Sequence, residues 1–271
     1  MDKKKYRLII SDFDGTLCDD EKRVSERTLR AVKGHLSRGG LFAVSTGRSF
    51  QSIISIVRNL GLKGLVSCFN GALVADIESG EPIYSKSLTV EQGVFALETI
   101  ERLGFYAQCY EPDRFFASAK TKYLELYEKL TGTKGIIPSE KLSEFVGKNE
   151  IRLNKILSML PAKDRDETIE TLKNALGDGY FITSGGENLV EVCVKGCSKG
   201  KALSFIAERY GVKTQDVLAV GDSLNDLEML KTAGLGIAVA NAEETLKKQV
   251  FTYPFSNGED AVGRIIEEYG F

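Results

Sequence analysis

Short apolar runs that each stop abruptly at a polar turn are the feature that most constrains the fold of this chain. The first such runs span residues 6–11, 41–45 and 65–68, and they have the length and composition of buried strands. Segments with apolar residues at helical spacing, such as 25–37 and 51–60, separate them. Because strand and helix alternate, crossover connections are needed, and these favour a parallel sheet. The sequence therefore predicts an α/β protein with a parallel core sheet.

The middle of the chain has a different pattern. Beyond residue 83 the segments become longer and alternating, with helical stretches at 90–103 and 164–176. From residue 189 the alternation of short strand and helix returns. We interpret this change as an insertion, with an α+β unit at 84–188 inside a core that consists of 1–83 and 189–271.

Carboxylates follow two of the predicted core strands. Asp12 and Asp14 lie two residues apart after the first strand, and Asp222 follows a later one. Ligands of open α/β sheets bind beyond the carboxyl ends of the strands, and oxygen ligands at this density favour Mg2+. An ionised aspartate there can attack phosphorus, while a neighbouring carboxyl group transfers protons. The alternative interpretation of residues 12–16 is a turn in which Asp and Gly serve the backbone conformation.

Groups suited to a phosphate follow other strands. Thr46 and Gly47 offer a hydroxyl and unhindered N–H groups, and Lys199 offers a compact positive charge where a loop enters a helix. Asn225 can donate its amide to a phosphate, and Asp226 can hold Lys199 or a metal-bound water. An N-cap and a solvated surface lysine are the alternatives for Thr46 and Lys199. Similar turns also contain Arg48, Asn70 and Ser223.

The charge balance argues against two classes of partner, nucleic acid and anionic membranes. With 36 Lys and Arg against 38 Asp and Glu, the formal net charge is −2. This balance gives no general electrostatic reason to expect binding to nucleic acid or to an anionic membrane. No run of about 18 apolar residues is present, and charged residues 1–7 do not have the layout of a signal peptide. We expect no nucleic acid, no membrane and no obligate protein partner.

The cysteine and histidine content limits the chemistry further. Five scattered cysteines fit reduced thiols in a cytoplasmic protein better than a disulfide framework. Because His35 is the single histidine, a His-based triad and a His-rich zinc site are both excluded. His35 lies in a polar, helix-like stretch, and we expect it on the surface.

Four motifs occur in order along the chain: DFDGTL at 12–17, STGR at 45–48, KG at 199–200 and GDSLND at 221–226. Together they resemble the motifs of the haloacid dehalogenase superfamily. Within that superfamily, the chain resembles the Cof-type sugar-phosphatase-like hydrolases that carry a C2-type α/β cap. The resemblance implies a Rossmann-like core, and the gap between the second and third motifs is where this branch carries its cap.

The resemblance also implies a role for each motif residue. In such enzymes Asp12 would be the nucleophile and Asp14 the general acid and base. Mg2+ would be held by the side chain of Asp12, the backbone carbonyl of Asp14 and the side chain of Asp222. The phosphate ligands would be Thr46, Gly47, Lys199 and Asn225, with Asp226 as a supporting acidic residue.

The sequence thus predicts a Mg2+-dependent phosphatase that hydrolyses small phosphorylated metabolites, with sugar phosphates favoured, through an aspartyl phosphate. A phosphomutase of the same superfamily is one alternative, because a phosphoaspartate can transfer its phosphate to a second hydroxyl group. A non-catalytic protein that binds a phosphometabolite is the other. Charged cap residues such as Arg114 and Arg152 are expected to be solvated.

Overall fold

The computed structural model describes residues 4–271; residues 1–3, which begin the charged N-terminal stretch, lie outside the described part of the chain. The described chain forms two compact units. The first contains residues 4–47, Ile56–Ile83 and Ser198–Phe271, and the second contains Arg48–Ser55 and Tyr84–Cys197. We describe each unit separately.

The strands of both units are short, and most of their residues are buried. In chain order they are β1 (Leu8–Ser11), β2 (Leu41–Ser45), β3 (Leu65–Cys68), β4 (Leu73–Asp76), β5 (Pro82–Ser85), β6 (Gln108–Tyr110), β7 (Phe115–Ala117), β8 (Lys155–Met159), β9 (Tyr180–Thr183), β10 (Leu189–Val194), β11 (Val217–Gly221), β12 (Leu235–Ala238) and β13 (Phe251–Thr252).

Helices lie between some of these strands, and one follows the last strand. In chain order they are α1 (Glu26–Ser37), α2 (Phe50–Asn59), α3 (Val90–Arg102), α4 (Lys122–Thr131), α5 (Leu142–Lys148), α6 (Arg165–Leu176), α7 (Lys199–Arg209), α8 (Leu227–Thr232), α9 (Glu244–Lys247) and α10 (Ala261–Tyr269).

The core of the first unit is a mixed sheet with the strand order β13-β12-β11-β1-β2-β3-β4-β5. The strands from β13 to β3 are parallel, and β4 pairs antiparallel with β3. Every residue of the central strand β1 is buried, because both faces of the strand are covered. This explains why β1 reads as a continuous apolar run rather than an alternating one. The predicted α/β fold class is confirmed.

The second unit contains an antiparallel sheet with the order β7-β6-β8-β10-β9. Helix α3 packs against α5 and α6, and α6 also contacts β9 and β10. The strand β10 belongs here because it pairs with β8 and β9. The predicted boundary near residue 188 would have placed β10 in the core, whereas the second unit extends to Cys197.

The second unit also contains a buried ion pair. The Nζ atom of Lys155 lies 2.6 Å from Oε1 of Glu191, and both side chains are almost completely buried. The same ammonium group lies 5.2 Å from the ring centroid of Tyr110. Such a pair contributes little net stability, because burial removes both charges from water.

All five cysteines are buried, and no disulfide joins any two of them in the described part of the chain. Within residues 4–271, no helix combines the length and the apolar character that crossing a membrane requires.

The prediction that His35 lies on the surface is wrong. The buried side of α1 consists of Thr28, Ala31, Val32 and His35, which are spaced as one helix face. The pattern of apolar residues alone did not identify this face, because two of its four members are polar. The ring Nε2 lies 3.1 Å from the carbonyl oxygen of Arg7, while Nδ1 accepts a hydrogen bond of 3.0 Å from the N–H of Phe271.

These contacts predict a pH dependence of stability. Burial lowers the pKa of His35 below its ordinary value of 6.5. The unfolded chain therefore binds a proton at this residue near pH 6.5, whereas the folded protein does so only at lower pH. Stability should be fully present above about pH 6.5 and should fall as the pH decreases from there through the folded pKa.

The variant His35→Gln tests this expectation, because it keeps a polar side chain and removes the titrating group. Urea unfolding at a series of pH values from 7.5 to 5 should show a steeper loss of unfolding free energy in the wild type than in the variant. If the unfolding free energy of the two proteins decreased equally with falling pH, His35 would not be the cause of the pH dependence.

Candidate active site

Four loops meet at the carboxyl-terminal edge of the core sheet. The register places the last residue of β1, Ser11, beside Val44 of β2 and Val220 of β11. The N–H of Asp12 then donates to the carbonyl oxygen of Val220 at 2.9 Å. Asp12 and Asp222, which are 210 residues apart in the sequence, therefore follow neighbouring strands.

Lys199 lies at the centre of this edge. Its Nζ atom is 2.6 Å from Oδ1 of Asp12 and 2.6 Å from Oδ1 of Asp226, and the lysine is 1% exposed. The hydroxyl of Ser198 accepts a hydrogen bond from the N–H of Lys201, so α7 begins at Lys199. Burial alone would lower the pKa of Lys199, but the charges of Asp12 and Asp226 raise it well above its ordinary value.

Asp226 uses both of its carboxylate oxygens within the protein. Oδ1 pairs with Lys199, and Oδ2 accepts hydrogen bonds from the N–H groups of Asp222 at 2.9 Å and Ser223 at 3.0 Å. Gly221 makes this turn possible, because a Cβ atom there would lie 2.5 Å from the side chain of Asp226. Asp226 therefore holds the ammonium group of Lys199 and the backbone of the turn after β11.

Asp222 is held by two hydroxyl groups. Its Oδ1 accepts a hydrogen bond of 2.6 Å from Thr16, and its Oδ2 accepts one of 3.1 Å from Ser223. Gly15 has a φ of +75°, and a Cβ atom there would lie 2.6 Å from Oδ2 of Asp222. Sequence reasoning did not single out Thr16, although its place in the first motif could have indicated it. The first loop therefore fits directly against the carboxylate of Asp222.

The carboxylates of Asp12 and Asp226, which are buried, and of Asp222, which is half-buried, repel one another. Asp12, Asp222 and Asp226 each offer an oxygen within 4.8 Å of the others. Burial, with the charge of Asp226 as the next cause, raises the pKa of Asp222 to about 6. Burial also raises the pKa of Asp12 well above its ordinary value, and Lys199 offsets this only in part. One lysine among three carboxylates leaves an excess of negative charge.

This donor set fits a divalent metal ion. The ligands of Mg2+ are hard oxygen atoms, and the cluster offers carboxylate oxygens with only one positive side chain. Because Asp226 is fully used by Lys199 and two N–H groups, the side chains with capacity for a metal ion are those of Asp12 and Asp222.

The carboxylate of Asp14 lies outside this cluster. It pairs with Nζ of Lys22 at 2.9 Å, and about a third of its side chain is exposed. Its backbone follows Asp12 in the first loop, so the predicted contribution of Asp14 to a metal site is its carbonyl oxygen rather than its side chain. The structure therefore separates the two aspartates of the first motif into a buried and a half-exposed position.

The predicted phosphate ligands lie around the same edge. Thr46 is buried directly after β2, and its N–H donates to the carbonyl oxygen of Ser67 at 2.8 Å. Gly47 follows it and is half-buried. The amide Nδ2 of Asn225 donates to Oδ1 of Asn70 at 3.0 Å, and both residues are buried. Within residues 4–271, nothing donates to the buried Oδ1 atom of Asn225.

Several curated relatives and solved structures are similar to this chain along its whole length. Phosphatase YwpJ of Bacillus subtilis is 27% identical over 284 residues, with 96% of this chain and 99% of the relative covered. The phosphatase YcsE of the same organism, named for 5-amino-6-(5-phospho-D-ribitylamino)uracil, is 27% identical, with 97% and 95% covered. A crystal structure from Thermotoga maritima has a TM-score of 0.80 at 27% identity and covers 98% of both chains.

The sequence profile described as haloacid dehalogenase-like hydrolase matches residues 9–266. This match includes all four motifs and confirms the resemblance that the motifs indicated. The structure places their loops at one edge of the core sheet, as described above. The chain belongs to the haloacid dehalogenase-like hydrolase family, and the curated relatives named here are phosphatases.

Proposed function

We propose that this hydrolase is a Mg2+-dependent phosphatase of small phosphorylated metabolites, with sugar phosphates as the favoured substrate class. The observation that carries the proposal is the buried cluster in which Lys199 bridges Asp12 and Asp226 beside Asp222. A buried carboxylate with a lysine on one oxygen is suited to nucleophilic attack, because the lysine fixes its orientation. The relative YcsE is named as a phosphatase of a compound with a phosphoribityl chain, which supports a phosphorylated polyol or sugar as the substrate.

The proposed reaction has two displacements at phosphorus. In the first, an oxygen of Asp12 forms a bond to phosphorus while the bond to the leaving oxygen breaks, and Asp14 gives that oxygen a proton. In the second, a water molecule that loses a proton to Asp14 attacks the phosphoaspartate, which releases inorganic phosphate and restores the carboxylate of Asp12. Lys199, Thr46, Gly47 and Asn225 hold the phosphoryl oxygens during both steps.

Asp12, Asp222 and the carbonyl oxygen of Asp14 would hold Mg2+, which supplies positive charge to the phosphoryl group. Lys22 has a role in this scheme, because its ammonium group is 2.9 Å from the carboxylate of Asp14. For Asp14 to protonate the leaving oxygen, one oxygen of its carboxyl group has to carry the proton. The other oxygen can keep the contact with Lys22 during this step.

The inserted unit is proposed to select the substrate, and no further partner is required. The cytoplasm is the proposed location, which five cysteines outside any disulfide support. A phosphomutase remains the second candidate, since it would use the same phosphoaspartate. Analysis of products separates the two, because a mutase returns a phosphorylated isomer and little inorganic phosphate.

The variant Asp12→Asn tests the nucleophile. The amide keeps the shape of the side chain but cannot form the phosphoaspartate, so kcat for phosphate release should fall by about 10³-fold or more. Release of inorganic phosphate should be measured over a panel of sugar, polyol, nucleotide and cofactor phosphates with Mg2+. Asp113→Asn, the same change at an exposed position of the second unit, is the matched control and should keep full activity. Near wild-type turnover in Asp12→Asn would exclude the mechanism.

The variant Asp222→Asn tests the metal site without relying on turnover. Mg2+ that binds the folded protein raises its melting temperature by mass action. We expect this shift in the wild type and a much smaller one in Asp222→Asn, because one of two metal-binding carboxylates is lost. Asp178→Asn lies on the surface of the second unit and should respond to Mg2+ like the wild type. An unchanged Mg2+ response in Asp222→Asn would remove this residue from the metal site.

A further inference from the structure

The turn that follows β3 has an unusual backbone. Phe69, Asn70 and Gly71 have consecutive positive φ values of 51°, 54° and 90°. Glycine adopts this region freely and asparagine tolerates it, but a phenylalanine there is strained. Strain of this kind persists only where the surroundings fix the backbone, and it concentrates at functional sites.

Two neighbouring loops of the site fix this turn. The N–H of Asn70 donates to the carbonyl oxygen of Thr46 at 3.1 Å. On the other side, a Cβ atom at Gly71 would lie 2.2 Å from the carbonyl oxygen of Ser198, the residue that caps α7 just before Lys199. The turn is therefore packed between the loops that carry Thr46 and Lys199.

The side chain of Asn70 connects this turn to Asn225 of the fourth motif. Its Oδ1 accepts a hydrogen bond of 3.0 Å from Nδ2 of Asn225, and the two residues are 0% and 4% exposed. A buried amide usually turns so that its oxygen finds a donor. The Oδ1 atom of Asn225 has none among residues 4–271, so the bond to Asn70 holds the amide in an orientation that leaves this oxygen unpaired.

We infer that Asn70 is a positioning residue that orients the amide of Asn225 for phosphate binding. One N–H of Asn225 Nδ2 is bound to Asn70, which leaves the second N–H available to donate to a phosphoryl oxygen. This inference rests on the proposed function, because it assumes that a phosphate binds at this edge. It adds Asn70, which the four motifs do not include, to the residues that determine phosphate affinity.

A double-mutant cycle tests the inference. Asn70→Gly keeps a residue that adopts positive φ without strain and removes the amide side chain, and with it the acceptor Oδ1. Asn225→Ala removes the donor. If Asn70 acts through Asn225, each single variant should lower kcat/KM for para-nitrophenyl phosphate by about 10-fold, and the double variant should lose little more than either one. The affinity for inorganic phosphate, measured by calorimetry with Mg2+, should follow the same pattern.

The controls separate positioning from a general structural effect. Asn257→Gly removes another asparagine of the same unit, whose amide donates to the carbonyl oxygen of Cys18. In the Asn257→Gly background, Asn225→Ala should still lower kcat/KM for para-nitrophenyl phosphate by the full amount of about 10-fold. The Mg2+ concentration that gives half-maximal activity should be the same in Asn70→Gly and the wild type.

The outcomes are distinguishable. A wild type that neither hydrolyses para-nitrophenyl phosphate nor binds inorganic phosphate would contradict the proposed function and this inference with it. An active wild type in which the losses from Asn70→Gly and Asn225→Ala multiply, or in which Asn70→Gly has no effect on phosphate affinity, would contradict this inference alone.

Discussion

The ammonium group of Lys199 between the carboxylates of Asp12 and Asp226 is the interaction on which the site depends. Removing one partner of a buried ion pair costs about 3–5 kcal/mol, because the remaining charge has no solvent to stabilise it. Lys199 compensates one negative charge and leaves an excess on the cluster that Asp222 completes. The same contacts therefore orient the proposed nucleophile and provide the electrostatic attraction for a divalent cation.

Close packing around these charges keeps them in place. Gly15 and Gly221 each lie against a carboxylate, so that a side chain at either position would displace Asp222 or Asp226. The backbone N–H groups that hold Asp226 come from the turn after β11, so the end of one strand and the start of α7 are joined through a single carboxylate. Rigid elements thus position the charges.

The sequence predicted the parts of the site that depend on strand ends. Parallel strands bring their carboxyl ends to one edge, so the places of Asp12, Thr46 and Asp222 followed from the pattern of short apolar runs. The bond between Asn70 and Asn225 could not be predicted in this way, because it joins residues 155 positions apart and depends on a strained turn. The burial of His35 was also missed, since its helix face contains polar residues as well as apolar ones.

The buried ion pair of Lys155 and Glu191 restricts which substitutions the second unit can accept at these two positions. Loss of either residue alone leaves the other charge in the interior without its opposite charge, whereas replacement of both by apolar side chains is often neutral or stabilising. The two positions are therefore expected to change together, and a chain that has altered only one of them passes through a less stable intermediate.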